Sequence, residues 1–232
     1  MTLTQDIVDF HAHILPGADH GSYSVEETLF QLRSATENGI KRIIATPHFS
    51  PSSHTVESFL RRRSEAYKRI LPYMSNDMPS VILGAEVLYC DGIERMPGLE
   101  QLCVSGTKTL LLELPFSGEG KVTLSSVKKI IGQGIQVVLA HVDRYSPDFI
   151  GELLSLGANA QLNATALSGI YIKRSLKAWL RDNRVYALGS DIHNKDKSAY
   201  PQFVRASSKL SKYIEFIKRE SDKIWDLAVL NS

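Results

Sequence analysis

A parallel α/β barrel is the fold class this sequence predicts, and three observations carry it. Short apolar runs rich in β-branched residues alternate with stretches of helical period. The alternation continues without a Pro/Gly/Ser-rich linker that would divide the chain. Ionisable residues gather where the apolar runs end. Alternation alone allows an open doubly wound sheet as readily as a closed barrel. The ionisable residues favour the barrel, because barrels of this kind draw their functional side chains from the C-terminal ends of several different strands.

The elements follow in order. Residues 7–10 form the first strand, and Ser24 with Glu27 three residues on makes a capping-box signature for a helix over 25–37. A strand at 42–46, a helix at 56–71 and strands at 80–84 and 109–114 come next. A helix at 124–131, a strand at 135–140, a helix at 146–156, a strand at 158–163, a helix at 175–182 and a strand at 185–189 complete the series. Seven strands with crossover helices predict a distorted TIM-like (β/α)7 barrel, read as one domain over residues 1–232. A chain this long buries roughly 70% of its extended surface, so it needs no disulfide or structural metal, and any metal site is functional.

Composition excludes several classes of function. The net charge is +2, from 27 basic and 25 acidic residues mixed along the chain, which leaves no footprint for nucleic acid or an anionic membrane. The two cysteines, Cys90 and Cys103, form no Cys-x-x-Cys pair and suit a reducing cytoplasm. Residues 1–9 lack a basic region followed by an apolar core, and no apolar run reaches the ~18 residues of a membrane span. A cytoplasmic chain without membrane insertion is expected.

The chemistry lies at the strand ends. Asp9-Phe10-His11-Ala12-His13 closes the first strand, and alternation places His11 and His13 on one face, about 7 Å apart along the chain, where two imidazoles share a metal. His48 follows the second strand in Ala-Thr-Pro-His, Glu86 the third in Gly-Ala-Glu, Glu113 closes the fourth and His141 the fifth. The seventh runs into Ser190-Asp191-Ile192-His193-Asn194, again with alternate spacing. One such group is often a satisfied core polar residue; six strands ending this way point to a shared site, because a charge beside a buried strand is costly unless paired or bound to a metal. Of the seven histidines only His54, assigned to solvent, lies outside these ends and the loop Gly17-Ala18-Asp19-His20-Gly21. Imidazole and carboxylate without thiolate suit Mn, Fe or Zn in a catalytic site. Nine positions, counting one from the Asp19-His20 pair, serve two or three ions with Glu86 bridging, an arrangement that implies phosphate-ester hydrolysis.

In order along nearly the whole chain, His-x-His, Pro-Gly-x-Asp-x-Gly, Ala-Thr-Pro-His, Gly-Ala-Glu, the strand-four Glu, Ala-His-x-x-Arg-Tyr and Ser-Asp-x-His-Asn resemble the PHP (polymerase and histidinol phosphatase) superfamily. Ile14-Leu15-Pro16-Gly17 and Ala140-His141-Val142-Asp143-Arg144-Tyr145 are most similar to the bacterial manganese-dependent protein tyrosine phosphatases of capsule and exopolysaccharide operons. The resemblance implies a seven-stranded TIM-like barrel with a trinuclear centre, manganese as the metal, and ligands at His11, His13, His48, Glu86, Glu113, His141, Asp191 and His193. It also implies a tyrosine autokinase as substrate. Two positions depart from it: the loop carries Asp19 then His20 where two aspartates are usual, so which of them ligates stays open, and Lys195 and Lys197 stand where an arginine is usual after Asn194.

The resemblance assigns phosphoryl binding to Arg144, whose planar guanidinium grips two oxygens at once. The reaction expected is in-line attack of a metal-bound hydroxide on phosphorus, with Lys195 or Lys197 as further phosphate contacts. Whichever of Asp19 and His20 does not bind metal is the candidate acid for the leaving group. A cysteine-based phosphatase is excluded by inspection, since Met96 and Thr109 stand six positions beyond Cys90 and Cys103 where a Cys-x5-Arg loop needs arginine. The alternatives are a histidinol phosphatase and a non-catalytic PHP module that regulates a partner.

Overall fold

The protein is described here from a computed structural model, which covers residues 6–115 and 120–231. Expectations for residues 1–5 and 232 lie outside the described residues. The elements are β1 (Asp9–Ala12), α1 (Val25–Glu37), β2 (Arg42–Ala45), β3 (His48–Phe49), α2 (Val56–Ile70), β4 (Ser80–Leu83), β5 (Glu86–Leu88) and β6 (Thr109–Glu113). They continue with α3 (Lys121–Gly132), β7 (Gln136–Leu139), α4 (Pro147–Ser155), β8 (Asn159–Asn163), α5 (Arg174–Arg181), β9 (Val185–Gly189), α6 (Ala199–Lys209) and α7 (Ile214–Leu230). The helix starts have local causes. Ser24, Thr55 and Ser146 each accept the backbone N–H three residues on, and Pro147 occupies the first turn of α4, where no N–H is missed.

Every strand pairing is parallel, in the order β3-β5-β6-β7-β8-β9-β1-β2-β4. The seven predicted strands are present as nine pieces. β2 and β3 are one strand interrupted at Thr46-Pro47, and β4 and β5 are one strand interrupted at Gly84-Ala85. The first halves pair with each other and β2 joins β1; the second halves pair with each other and β5 joins β6. The ring of seven therefore closes through chain continuity. Across the break it is held by Gly84 N–H to Ala45 O at 2.8 Å and Glu86 N–H to Pro47 O at 3.1 Å. Pro47 has no N–H for the ladder, which is why the second strand is interrupted there.

Most element boundaries lie within one or two residues of the expectations, and α3 begins three residues earlier, at Lys121. The first strand begins at Asp9, not residue 7, and His13 lies just beyond it. α6 and α7 were not anticipated, although Phe203, Ala206, Leu210, Ile214 and Ile217, all buried, carry helical spacing. In β6 alternation divides the packing. Leu110 and Leu112 join the main core, while Leu111 joins a smaller cluster with Phe10, Val138, Ala187 and the α7 residues Ile224 and Trp225. Glu113 is two residues past Leu111, on that same face, at the strand's C-terminal end.

Candidate metal centre

The strand ends converge on Glu86, whose side chain is 1% exposed. Its Oε2 stands 3.1 Å from His11 Nε2, 3.2 Å from His13 Nε2 and 3.0 Å from His48 Nδ1, and its Oε1 stands 2.9 Å from His141 Nε2. Glu113 adds a second carboxylate 3.9 Å from His48 Nδ1 and 3.6 Å from His141 Nε2. On the other side, Asp191 Oδ1 lies 3.5, 3.4 and 3.6 Å from nitrogens of His11, His13 and His193. All eight residues expected at the strand ends are thus brought together. Three groups, His13/His48/His193, His11/His13/Asp191 and His48/Glu86/Glu113, each hold their donor atoms within 4.8 Å of one another.

Hydrogen bonds at the backs of the rings set which nitrogen faces the cluster. His13 Nδ1 meets Asp19 Oδ2 at 2.7 Å and His193 Nδ1 meets the Asp191 carbonyl at 2.9 Å; both partners only accept, so both Nδ1 atoms donate and both Nε2 atoms present lone pairs. His11 Nδ1 faces Gln161 Oε1 in the same sense at 3.4 Å. His11 Nε2 and His13 Nε2 are then only 2.9 Å apart. Between neutral rings this is an abutment of electron pairs beside a buried carboxylate, which divalent cations relieve. The donor set fits them.

The charge balance gives the same answer. Burial opposes ionisation of Glu86, yet His11, with bonds from His13 and His141, holds its carboxyl well below the usual range. Burial is likewise outweighed at Asp191 and Asp19, which His11 and His13 hold low. Glu113 is pushed up by burial and by Glu86 beside it. Burial disfavours protonation of His11 and His13, but the surrounding carboxylates raise both, whereas burial and neighbouring His13 bring His193 down to about 4. Four carboxylates thus draw positive charge into a space where imidazolium, with Arg144 at Asp191, stands in for cations.

The two loop residues take different places. The Asp19 carboxylate is committed to His13, to the His48 N–H at 2.8 Å and to the Gly21 N–H at 2.9 Å. Asp19 accepts all three of these hydrogen bonds and is not among the residues that line the cavity above the cluster. His20 instead stacks 4.8 Å from His48, lies tilted 5.0 Å from His193, and lines the cavity above the cluster.

That cavity has a volume of about 450 Å³ and is walled by His20, His48, Arg144, Thr165, His193 and Asp196, among others. Arg144 donates to Asp191 Oδ2 at 2.6 Å, and its side chain is 38% exposed. Lys195 and Lys197 are not in the wall. Lys195 pairs with Glu26 at 2.8 Å, and Lys197 borders a separate groove with Phe30 and Glu37. His54 lies apart from the cluster as expected, half-buried against Arg62 instead of free in solvent.

Sequence reasoning passed over a layer of neutral support. Gln161 Oε1 accepts the His141 N–H at 2.6 Å, Gln161 Nε2 donates to Asn163 Oδ1, and Asn163 Nδ2 donates to Asp191 Oδ2 at 2.7 Å. Asp9, fully buried and pushed up to about 6 by that burial, binds the Ser190 N–H and hydroxyl. A signal existed, since Gln161-x-Asn163 repeats the alternate spacing of His11-x-His13 at the end of the one strand that shows no ionisable residue. His141 (φ 33°) and Asp191 (φ 53°) occupy the left-handed region that non-glycine residues rarely adopt, local strain that the surrounding bonds hold in place.

Fold and site together define a parallel barrel of the distorted TIM type with a histidine and carboxylate centre at its C-terminal rim. The chain belongs to the family described as capsular polysaccharide synthesis, CpsB/CapC, which matches residues 7–224. It is 28% identical over 201 residues to tyrosine-protein phosphatase YwqE of Bacillus subtilis, covering 81% of this chain and 78% of the relative. Tyrosine-protein phosphatase CpsB of Streptococcus agalactiae is 23% identical over 224 residues, 88% of this chain and 89% of that one. Among solved structures, one described as YwqE from Bacillus subtilis and CpsB from Streptococcus pneumoniae, unique metal-dependent tyrosine phosphatases, shares the fold with a TM-score of 0.72. It covers 97% of this chain and 94% of that chain at 22% identity.

Proposed function

We propose that this chain is a metal-dependent phosphotyrosine phosphatase of capsular or exopolysaccharide synthesis, acting as one catalytic domain over residues 1–232 in the cytoplasm, on a tyrosine autokinase. The observation that carries the reading is the convergence of six imidazoles and three strand-end carboxylates beneath one open cavity. Family membership and the names of the relatives support the substrate class over histidinol phosphate and over a non-catalytic module. No helix among the described residues is long and apolar enough to cross a membrane.

Two or three divalent cations, manganese first and iron or zinc as alternatives, would be held by His11, His13, His20, His48, Glu86, Glu113, His141, Asp191 and His193. When bound they supply positive charge for the phosphoryl oxygens and lower the pKa of an attacking water. Asp19 keeps His13 in the ligating tautomer, and Gln161 and Asn163 fix His141 and Asp191. Arg144, at the cavity wall, holds phosphoryl oxygens that the attacking water does not approach, because a guanidinium acts only on the anion.

Protein purified without chelator is expected to contain divalent metal by elemental analysis, to hydrolyse an aryl phosphate, and to lose that activity reversibly on chelation. Phosphotyrosine peptide should be preferred to histidinol phosphate. Arg144→Ala should keep its metals while kcat/KM falls by roughly 2–4 kcal/mol, the scale for a preorganised charge stabiliser. Metal-free protein with undiminished turnover would end the reading.

A further inference from the structure

The outer wall of the cavity carries a feature that the hydrolytic centre does not use. After Asn163 and Thr165, which line the cavity, the chain leaves the barrel as an exposed segment and enters α5 at Arg174. Ile170 and Tyr171 in that segment are 86% and 83% exposed, more than any other large apolar side chain among the described residues. The segment is nevertheless fastened. The Lys209 ammonium donates to the Leu167 carbonyl at 3.0 Å and also to the Gly169 carbonyl. Lys173 Nζ reaches the Asp143 carbonyl at 3.4 Å, which brings the far end of the segment back beside Arg144.

The charge here is one-sided although the whole chain is nearly neutral. No acidic residue occurs between Glu152 and Asp182, a stretch that contains Lys173, Arg174, Lys177 and Arg181. Arg181 pairs with Asp182, while Lys173, Arg174 and Lys177 are exposed and have no carboxylate partner among the described residues. They also stand in or beside the first turn of α5, which has no acidic residue and no side-chain cap, so the helix end adds to their positive potential. These exposed cations, which lack carboxylate partners among the described residues, and the exposed apolar pair beside them are not part of the barrel's buried core.

We infer that Ile170, Tyr171, Lys173, Arg174 and Lys177 form a docking strip for the polypeptide around the phosphotyrosine, selecting substrates with acidic residues next to it. This rests on the phosphatase reading above and names the substrate class of that same site. An extended peptide advances about 3.3–3.6 Å per residue, so with its phosphate at Arg144 the residues immediately following or preceding pass Lys173, and those beyond them pass Tyr171 and Arg174. Charge complementarity selects an acidic peptide, and the apolar pair supplies contact area that a small phosphate ester does not reach. An anionic membrane is the competing occupant; the strip's continuity with the cavity wall favours the peptide.

The test compares two phosphotyrosine peptides that differ only in Asp/Glu against Ser/Gln at the flanking positions, each rate normalised to aryl phosphate turnover by the same protein. The wild type is expected to favour the acidic peptide roughly 5- to 10-fold in kcat/KM at low ionic strength, the scale of two or three exposed ion pairs, with the preference fading as salt is raised. Arg174→Glu/Lys177→Glu should erase or invert the preference, and Ile170→Ser/Tyr171→Ser should raise KM for both peptides. Fluorescence anisotropy of the same phosphopeptides on metal-free protein reads the strip independently of catalysis, so an inactive enzyme that still discriminates would fail the phosphatase reading and keep this one. Equal handling of the two peptides by both measurements overturns it. So does a preference that survives charge reversal, or sedimentation with phosphatidylserine vesicles that charge reversal abolishes while the peptides are treated alike.

Discussion

Where the second and third strands reach the rim they are interrupted, after Ala45 and after Leu83, and where the sixth arrives it runs unbroken into Asn163. The interrupted strands resume as His48–Phe49 and Glu86–Leu88, so His48 and Glu86 are the first residues of new strand segments and project over the barrel's end. Unbroken β8 brings two amides, Gln161 and Asn163, instead of ionisable groups, and these hold His141 and Asp191 from behind. The two interrupted strands thus present His48 and Glu86 to the cluster, while unbroken β8 presents amides that support their neighbours. An amide can donate and accept at once without adding charge, so β8 positions its neighbours without competing with them for cations.

Breaking the interrupted side should have the largest effect. Glu86→Gln removes the charge that four imidazoles share, and metal content and aryl phosphate turnover should both fall, the latter by about 10³-fold or more. Far-UV circular dichroism should stay near wild type. Turnover within tenfold of wild type would take Glu86 out of the centre. Next comes the seam between the two sides at Gly189, where an added Cβ would stand 2.5 Å from Gln161 Nε2 and 2.6 Å from His11 Cβ. Gly189→Ala is expected to destabilise by about 1–3 kcal/mol through overpacking, read from the urea midpoint, and to impair activity with it.

The unbroken side should respond more gently. Gln161→Ala and Asn163→Ala are expected to weaken metal affinity or turnover by roughly 10–100-fold with the fold retained, since they act on His141 and Asp191 only through hydrogen bonds. If either equals the Glu86 substitution in severity, the division between ligating and supporting strands fails. Cys90→Ser with Cys103→Ser should stay within a few-fold of wild-type activity. Burial pushes the Cys103 thiol up to about 12, so it carries no thiolate near neutral pH to act as nucleophile. The smallest effect is expected for Lys195→Ala, whose side chain makes an exposed pair with Glu26 away from the cavity; kcat/KM should change by no more than about twofold.

Much of this was legible in residue order. Alternation of apolar runs and helical periods predicted the barrel, and the β9 expectation at 185–189 matches the observed strand. The ionisable groups at strand ends pointed to the centre because such side chains are costly next to buried strands and therefore stand out. Gln161, Asn163 and Asp9 did not stand out. Gln161 and Asn163 carry no charge and Asp9 stands at the start of its strand, and the role of each depends on which distant atom it meets, 20 residues away for His141 and 181 for Ser190.

The sequence by itself determined the fold class, the strand ends and the kinds of atoms offered there, because periodicity and residue chemistry are local properties. Only the tertiary structure decided how the ring closes, since that depends on two interrupted strands pairing in halves with different neighbours. It also separates the surroundings of Asp19 and His20, which are adjacent in the chain and chemically able to do either task. The Asp19 carboxylate meets His13 and the His48 N–H, which lie 35 positions apart in the chain, while His20 faces the cavity.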